Sequence, residues 1–241
     1  MSVNLHVVTQ NHTRRVGNNN KALSLLAVIF VLAAASAKAG TVVLTLEGLQ
    51  NNEPVGSYYN GGLGGFGSGP GPNYGITFGP DLLALISGCC GGSGSFSGAP
   101  SMPTIVYFLS GPGDVMDVPA GFTTGFSFYY SAIVYPGLVS VYSGLDGTGS
   151  LLATLDLPVT PSGGAPQCTY GAYCPWFPVG VSFSGTAESA IFSGSANYIG
   201  FDNITLGSST PGTTTPEPAT LTLFGSGVLS LVGLVRRRRK A

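Results

Sequence analysis

Cationic side chains are missing from most of this 241-residue chain. Between residues 40 and 216 there is no lysine, arginine or histidine, although that stretch contains nine aspartates and glutamates. All nine Lys and Arg residues lie in the first 38 or the last six positions, and both histidines lie near the N-terminus. The overall net charge of −1 therefore conceals an acidic body between two basic tails. Such a body lacks the basic surface that nucleic-acid binding requires, so we expect no nucleic-acid partner.

The same absence removes most catalytic chemistry from the body. Without His, Lys or Arg there is no Ser-His-Asp or Cys-His arrangement and no Schiff-base lysine. Two carboxylates would still suffice for glycoside hydrolysis. Most of the acids, however, lie in loops beside Gly or Pro, where they are ordinary turn residues. We therefore expect no catalytic residues and no enzyme; the acids considered are Glu47, Glu53, Asp81, Asp114, Asp117, Asp146, Asp156, Glu188 and Asp202.

Metal ligands are restricted in the same way. Oxygen ligands of the kind that Ca²⁺ prefers are available, for example Asp114 with Asp117 or Asp202 with Asn203, but no repeated Asp-x-Asp loop occurs. A zinc site is disfavoured because no His accompanies the thiols and two of them are adjacent. We predict no metal site and no cofactor, and keep a structural Ca²⁺ as the alternative.

Residues 1–39 have the features of a secretory signal peptide. Basic residues at positions 14, 15 and 21 precede an apolar run at 23–35. Ala37-Lys38-Ala39 before Gly40 then provides a small-x-small cleavage pattern. We predict export through the Sec translocon and cleavage by signal peptidase between Ala39 and Gly40.

A second apolar segment lies near the C-terminus. Residues 219–235 carry no charge, and as a helix they would span roughly 25 Å, the short limit for crossing a hydrocarbon core. The basic cluster that follows would hold the C-terminus in the cytoplasm. It consists of Arg236, Arg237, Arg238, Arg239 and Lys240. Both ends therefore predict the same topology, with the body translocated and a single transmembrane helix behind it.

Between body and span lie a Ser/Thr/Pro linker, residues 208–215, and then Pro216-Glu217-Pro218. The flanking prolines keep this tripeptide out of a helix and extended. A Pro-Glu-Pro, a short apolar helix and a terminal arginine cluster, in that order, resemble the sorting signal of PEP-CTERM proteins of Gram-negative bacteria.

This resemblance implies an exosortase, a membrane-embedded peptidase, as the partner that releases the body or transfers it to another carrier. It also implies transient anchoring in the inner membrane, a final place at the cell surface or outside, and a host that makes exopolysaccharide and biofilm. Plain anchoring without processing is the alternative. The Leu-Pro-x-Thr-Gly motif of Gram-positive sortase substrates is absent.

The body is predicted to be all-β. Strand-like runs rich in β-branched and aromatic residues are separated by Gly, Pro, Asn and Asp. Phe122, Phe126, Phe128 and Tyr130 have even numbers and would share one face. We predict an antiparallel two-sheet, jelly-roll-like sandwich over residues 40–207. The predicted runs are 41–47, 74–78, 104–109, 122–130, 138–142, 151–155, 179–183, 190–192 and 198–206.

A glycine-rich stretch contains Gly62-x-Gly64-x-x-Gly67, which formally matches a dinucleotide-binding fingerprint. No strand leads into it, and Pro70 and Pro72 exclude the helix whose N-terminus would hold a pyrophosphate. We interpret it as a flexible surface loop.

The four cysteines are an even number in an exported chain, which favours disulfides. They are Cys89, Cys90, Cys168 and Cys174. Pairing Cys168 with Cys174 would close a small loop and leave a vicinal bridge, whereas crossing pairs would tie two distant loops together. We favour crossing pairs.

Aromatic residues surround the second cysteine pair. Aromatic faces on a disulfide-pinned loop are platforms of the kind on which sugars stack. The favoured interpretation is that they cap one end of the core; a glycan platform of Tyr170, Tyr173 and Trp176 is the alternative. The sequence thus predicts an exported envelope or matrix protein, associated with extracellular polysaccharide and membrane, or alternatively a lectin-like glycan-binding module.

Overall fold

The computed structural model describes residues 40–212, and this part of the chain is built from antiparallel strands. It contains no α-helix, only two short 3₁₀ turns at Gly88–Cys90 and Leu145–Gly147. The nine strands are β1 Val42–Leu44, β2 Thr77–Phe78, β3 Leu82–Ile86, β4 Thr104–Phe108, β5 Gly113–Ser131, β6 Gly137–Tyr142, β7 Leu151–Leu157, β8 Phe177–Gly194 and β9 Gly200–Leu206.

Two long strands, β5 and β8, pair along their whole length and form a ribbon that belongs to two sheets. The first half of β5 lies between β2 and the second half of β8, and β6 and β7 continue that sheet in the order β2-β5-β8-β6-β7. The second half of β5 lies between the first half of β8 and β9. Beyond β9 come β1 and β4, and β3 follows β4 at the edge.

The ribbon is bent so that its two halves face each other. In the register, Phe192 lies opposite Asp114, whereas Phe128 lies opposite Val179. Fourteen residues of straight strand from Asp114 to Phe128 would span roughly 45 Å. The rings of Phe128 and Phe192 are nevertheless only 5.9 Å apart. The predicted two-sheet sandwich is therefore present, with one ribbon contributing to both layers.

The bend coincides with irregular pairing in the middle of β5. The register shifts between Asp117 and Phe122 and again between Phe122 and Thr124. Gly121 has φ +70° and Thr124 has φ +81°, both in the left-handed region. Bulges of this kind bend a strand and increase its twist, which allows one strand to leave a sheet and join the facing one.

The core lies between the two layers and is rich in phenylalanine. Phe126, Phe128, Phe192 and Phe201 are completely buried, and their rings contact one another at tilted or edge-on angles. The predicted shared face of β5 is confirmed, because Phe122 and Tyr130 are also buried together with Phe126 and Phe128. These rings hold the two layers together by burying apolar surface between them.

Each predicted strand overlaps a strand of the structure, but the predicted and observed sets of strands differ in two respects. The runs 179–183 and 190–192 are parts of one strand, β8. Both β3, with the sequence Leu-Leu-Ala-Leu-Ile, and the first half of β5 were not predicted. In β3 the leucines and alanine have weak strand propensity and do not alternate with polar residues, so the local signal was absent.

Among residues 40–212, no helix is long and apolar enough to span a membrane. The predicted signal peptide at 1–39, the sorting tripeptide, the apolar span and the basic cluster lie outside the described residues.

Candidate functional site

The outer face of one sheet is covered by a small second core. In β3 and β4, Ala84 and Val106 face the sandwich interior, while the directly opposed Leu85 and Ile105 face outward. Ile105 is nonetheless buried, because Phe96, Ala99 and Trp176 from two loops pack over it. This second core holds the two loops against the sheet.

Trp176 is the centre of that second core. Its side chain is only 8% exposed, and its indole Nε1–H donates to the carbonyl oxygen of Ser97 at 3.1 Å. Its ring meets Phe96 edge-on at 6.0 Å. This burial agrees with the favoured interpretation, in which the aromatic residues around the disulfide cap the core, and it leaves Trp176 little surface for a sugar.

The loop before Trp176 is closed by the Cys168–Cys174 disulfide. The favoured crossing connectivity is therefore wrong. The two loops do lie together, as crossing pairs would require, but hydrogen bonds join them: Tyr173 N–H donates to Ser95 O, and Tyr170 N–H donates to Ser97 Oγ. These hydrogen bonds, rather than a long-range disulfide, hold the two loops together.

Cys89 and Cys90 are free thiols on an exposed 3₁₀ turn, with their sulfur atoms 2.9 Å apart. The hydrogen bond from Cys90, together with that from Ser87, lowers the pKa of the Cys89 thiol, and the same contact raises the pKa of Cys90. A vicinal bridge, the other half of the small-loop connectivity, is not formed in this structure.

A cleft of about 330 Å³ opens beside the second core. Its floor is apolar, formed by Leu85, Ile105 and Ile199, and its walls are aromatic and polar. We call it the tyrosine cleft; the side chains that define its walls are Tyr107, Tyr173, Asn197, Tyr198, Ser93 and Ser95. No charged residue lines it.

The tyrosines of the cleft differ in exposure and therefore in role. Tyr198 is 38% exposed and meets Tyr135 edge-on at 4.9 Å, so it presents a ring to solvent. Tyr173 packs against the second core, and burial, with a smaller contribution from Tyr198, raises the pKa of its phenol. Tyr170 is 44% exposed but does not line the cleft.

The sequence singled out only Tyr173 among the residues of this cleft. Tyr107 and Tyr198 were missed because they come from β4 and from the turn before β9, far apart in the chain. Only the pairing of β3, β4 and β9 places them beside residues 93–96.

The glycine-rich loop does bind an anion, namely the carboxylate of Glu53 from the same chain. Glu53 is completely buried, and its Oε1 accepts hydrogen bonds from the N–H groups of Phe66 at 2.8 Å and Ser68 at 3.0 Å. A Cβ at Gly64 would lie 2.5 Å from that same oxygen, so only glycine permits this approach. The glycines of the formal fingerprint thus lie in a loop, as expected. The amides of Phe66 and Ser68 in this loop already donate to Glu53.

Glu53 is held as a carboxylate. Burial by itself would raise the pKa of Glu53, but hydrogen bonds from Ser68, Gln50 and Phe66 outweigh that effect and hold the pKa below its ordinary value. Hydrogen bonds to the ionised form act in this direction.

The acids suggested as calcium ligands have different environments. Asp114 Oδ2 accepts a hydrogen bond from Leu82 N–H, and Asp117 Oδ1 accepts one from Asp146 N–H. The two acids are therefore bound to different backbone segments. Asp202 is completely buried, and burial raises its pKa to about 7 against the opposing hydrogen bonds from Ser101 and Asn203. In residues 40–212, no three His, Cys, Asp or Glu side chains are grouped as metal ligands.

Comparison with known proteins identifies the C-terminal segment. The PEP-CTERM protein-sorting motif matches residues 214–240, so the chain carries this sorting motif at the position predicted from its sequence. No protein with a curated description matches the chain.

Several solved β-structures resemble the fold distantly. One is the CsCBM6-3 module from Clostridium stercorarium in complex with cellobiose, at 15% identity and TM-score 0.34, covering 55% of this chain and 87% of that one. A β-1,3-glucan-binding CBM6 from Bacillus halodurans has 17% identity and TM-score 0.33, covering 53% and 87%. The K1 cleaved adhesin domain of Lys-gingipain from Porphyromonas gingivalis has 16% identity and TM-score 0.32, covering 55% and 98%.

The disulfide assignment predicts unequal effects for the two cysteine pairs. Replacing both Cys168 and Cys174 by alanine should lower the free energy of unfolding by about 2 kcal/mol, because a short covalent loop is opened. The matched control, alanine at both Cys89 and Cys90, should change it by less than about 0.5 kcal/mol, since both side chains are exposed. Urea denaturation measures both; equal losses from the two double variants would instead support crossing pairs.

The Glu53 contacts predict a pH-dependent loss of stability. A carboxylate whose pKa is lower in the folded state stabilises the protein above its unfolded pKa of about 4.5, and that stabilisation disappears as the pH falls through the folded value. Glu53→Gln should therefore lower Tm by several degrees at pH 7, and the difference from wild type should shrink below pH 4.

Glu188→Gln is the control for this experiment, because Glu188 is a half-buried glutamate on β8, whereas the amides of Phe66 and Ser68 in the glycine-rich loop donate to Glu53. A Glu53→Gln variant as stable as Glu188→Gln at pH 7 would contradict the role assigned to the loop amides.

Proposed function

We propose that this protein is exported, sorted by an exosortase-type membrane peptidase, and retained at the cell surface or in the extracellular matrix as a non-catalytic component. The observation that carries the proposal is the PEP-CTERM sorting motif at residues 214–240. It lies directly after the described β-sandwich, whose last strand ends at Leu206.

The charge distribution supports this topology. Basic residues beside both apolar segments, with none in the body between them, are what the positive-inside rule predicts for a chain whose two ends lie on the cytoplasmic side. The export path in this proposal runs through the Sec translocon and signal peptidase, with the apolar segment 219–235 as a transient anchor. Cleavage near Pro216-Glu217-Pro218 then releases the sandwich.

A non-catalytic role is supported by how the acids are used. Glu53, Asp114 and Asp117 each accept backbone N–H groups, and Glu47 accepts both N–H and O–H from Thr104. Carboxylates engaged in this way hold loops in place. A pair of acids facing one another across an open cleft, which glycoside hydrolysis needs, is not found at the tyrosine cleft, whose lining is uncharged.

The sorting proposal predicts a mass difference that depends on the Pro-Glu-Pro tripeptide. In a host with an exosortase, the released protein should lack residues 219–241, and intact-mass spectrometry measures this directly. Replacing Pro216, Glu217 and Pro218 together by alanine should leave the full-length protein in the membrane fraction. The control replaces Ser209, Thr210 and Thr213, which precede the matched segment, by alanine and should be released normally.

Release with residues 219–241 still attached would contradict processing and favour plain anchoring. A triple variant processed like wild type would show that the tripeptide is not the recognition element.

The tyrosine cleft favours a second function, the binding of a neutral glycan. An apolar floor, the exposed ring of Tyr198 and uncharged hydrogen-bonding groups from Asn197, Ser93 and Ser95 are suited to a sugar, whose ring has apolar faces and hydroxyl edges. The acidic, cation-free body would repel anionic polysaccharides. A neutral oligosaccharide is therefore the ligand class that we propose for this cleft.

The cleft proposal predicts that affinity depends on Tyr198. Tyr198→Ala should weaken binding of a neutral oligosaccharide, selected on a glycan array, by about tenfold, because an exposed stacking surface is lost. Tyr170→Ala is the matched control, since Tyr170 is similarly exposed but lies outside the cleft lining. Equal binding by the two variants, or no binding of any neutral glycan by the wild type, would contradict this second function.

A further inference from the structure

Three oxygen atoms surround the hydroxyl oxygen of Ser101 beside β9. The hydroxyl oxygen of Ser101 lies 2.6 Å from Asp202 Oδ1, 2.6 Å from Asn203 Oδ1 and 3.1 Å from the carbonyl oxygen of Thr45. Asp202 is completely buried and Asn203 is 1% exposed. Asp202 and Asn203 are therefore removed from bulk water, whereas Ser101 and Thr45 are half-buried, and the contacts of the Ser101 hydroxyl are all with oxygen atoms.

The hydrogen atoms available are too few for these contacts. A serine hydroxyl donates one hydrogen bond, while an ionised carboxylate, an amide oxygen and a carbonyl oxygen only accept. Asp202 already accepts the backbone N–H groups of Ser101 at 2.8 Å and Asn203 at 2.7 Å. With Asp202 ionised, the single Ser101 proton can lie in only one of the two 2.6 Å contacts, so in the other contact two oxygen atoms face each other with no proton between them. Two acceptor oxygens held this close repel each other unless a cation lies beside both.

Rotating the Asn203 amide does not relieve the shortage. Its Nδ2 donates to the carbonyl oxygen of Gly212 at 3.0 Å, and a flipped amide would direct its oxygen at that carbonyl instead. The orientation with Oδ1 toward Ser101 is therefore fixed by the chain itself.

A local irregularity in β9 is what brings the two side chains together. In a regular strand, Asp202 and Asn203 would point to opposite faces. Here the pairing with β5 shifts by one residue, so that Ser127 faces Thr205 but Tyr129 faces Asp202, and Asn203 has φ +48°. A bulge with a left-handed residue costs free energy and is typical of sites where side chains must be redirected.

Within residues 40–212, the charge of Asp202 has no cationic side chain to balance it, because this part of the chain contains no Lys, Arg or His. A second carboxylate, Glu47, is close enough to disfavour ionisation of Asp202, and it follows Thr45 by two residues. Buried carboxylates are ordinarily paired with a cation or bound to a metal ion. When these two carboxyl groups are ionised, both negative charge and oxygen lone pairs are in excess at this point.

We propose that Asp202, Asn203, Ser101 and the Thr45 carbonyl form a binding site for Ca²⁺, with Glu47 supplying additional negative charge. Mixed carboxylate, amide, hydroxyl and carbonyl oxygens are the ligands that calcium accepts in an irregular shell completed by water. Nitrogen and sulfur ligands, which transition metals prefer, do not contribute to this cluster. With a single carboxylate among its direct ligands, the site does not need the grouping of three acidic or soft ligands that is missing from the described residues.

The position of the site gives it a structural role. Thr45 directly follows β1, Ser101 belongs to the loop that carries Ala99 of the second core, and Asp202 and Asn203 belong to β9. A bound ion would therefore join the first strand, that loop and the last strand, and Asn203 also donates a hydrogen bond to Gly212 within the linker.

The test is a calcium titration of the full-length protein in detergent after chelation with EDTA. One Ca²⁺ per chain should bind in calorimetry, and saturating Ca²⁺ should raise Tm by about 5 °C, since a ligand that binds only the folded state stabilises it. Equimolar Mg²⁺ should have a much smaller effect, because it requires a regular octahedral shell.

Asp202→Asn should abolish both the binding and the Tm shift. Because this variant is at risk of misfolding, Ser101→Ala provides a second, milder loss, expected to weaken binding at least about tenfold. Asp156→Asn, which removes an exposed acid from β7, is the matched control and should bind Ca²⁺ like wild type. Absence of stoichiometric binding by the wild type, or unchanged binding by both site variants, would overturn the proposal, whatever the outcome of the sorting and glycan experiments.

Discussion

Buried carboxylates without cationic partners are the constraint on which much of this structure depends. Each must be satisfied by backbone N–H groups, by hydroxyls or by an external cation. Glu53 is satisfied in the first way, by the amides of the glycine-rich loop. Asp202 receives N–H groups from Ser101 and Asn203, yet it lies among more acceptor oxygens than the nearby protons can satisfy.

This constraint explains two local conformations that the core does not require. The glycine-rich loop folds around a carboxylate, which needs glycine at position 64 for close approach. Asn203 adopts a left-handed conformation where its side chain reaches the Ser101 cluster. In both places the backbone conformation follows from where a negative charge must be satisfied.

The body itself is held by apolar contacts. The bent β5–β8 ribbon brings Phe128 and Phe192 together from opposite layers, and the second core around Trp176 fixes two loops on the outside of one sheet. The tyrosine cleft lies where those loops leave part of the sheet uncovered. The sandwich thereby presents an uncharged cleft on an acidic domain, joined through a short linker to a segment that carries the sorting motif.

Strand propensity and alternation were sufficient to predict an all-β body and the buried face of β5, because both are local properties of the chain. The sorting motif was recognisable for the same reason, as its parts are consecutive. Residues such as Tyr107, Tyr198 and Ser101 gained their roles only through contacts between distant segments. Cysteine pairing and the burial of Trp176 likewise depend on how two loops pack on the sheet. Spacing along the chain does not encode that packing, so the tertiary structure alone decided them.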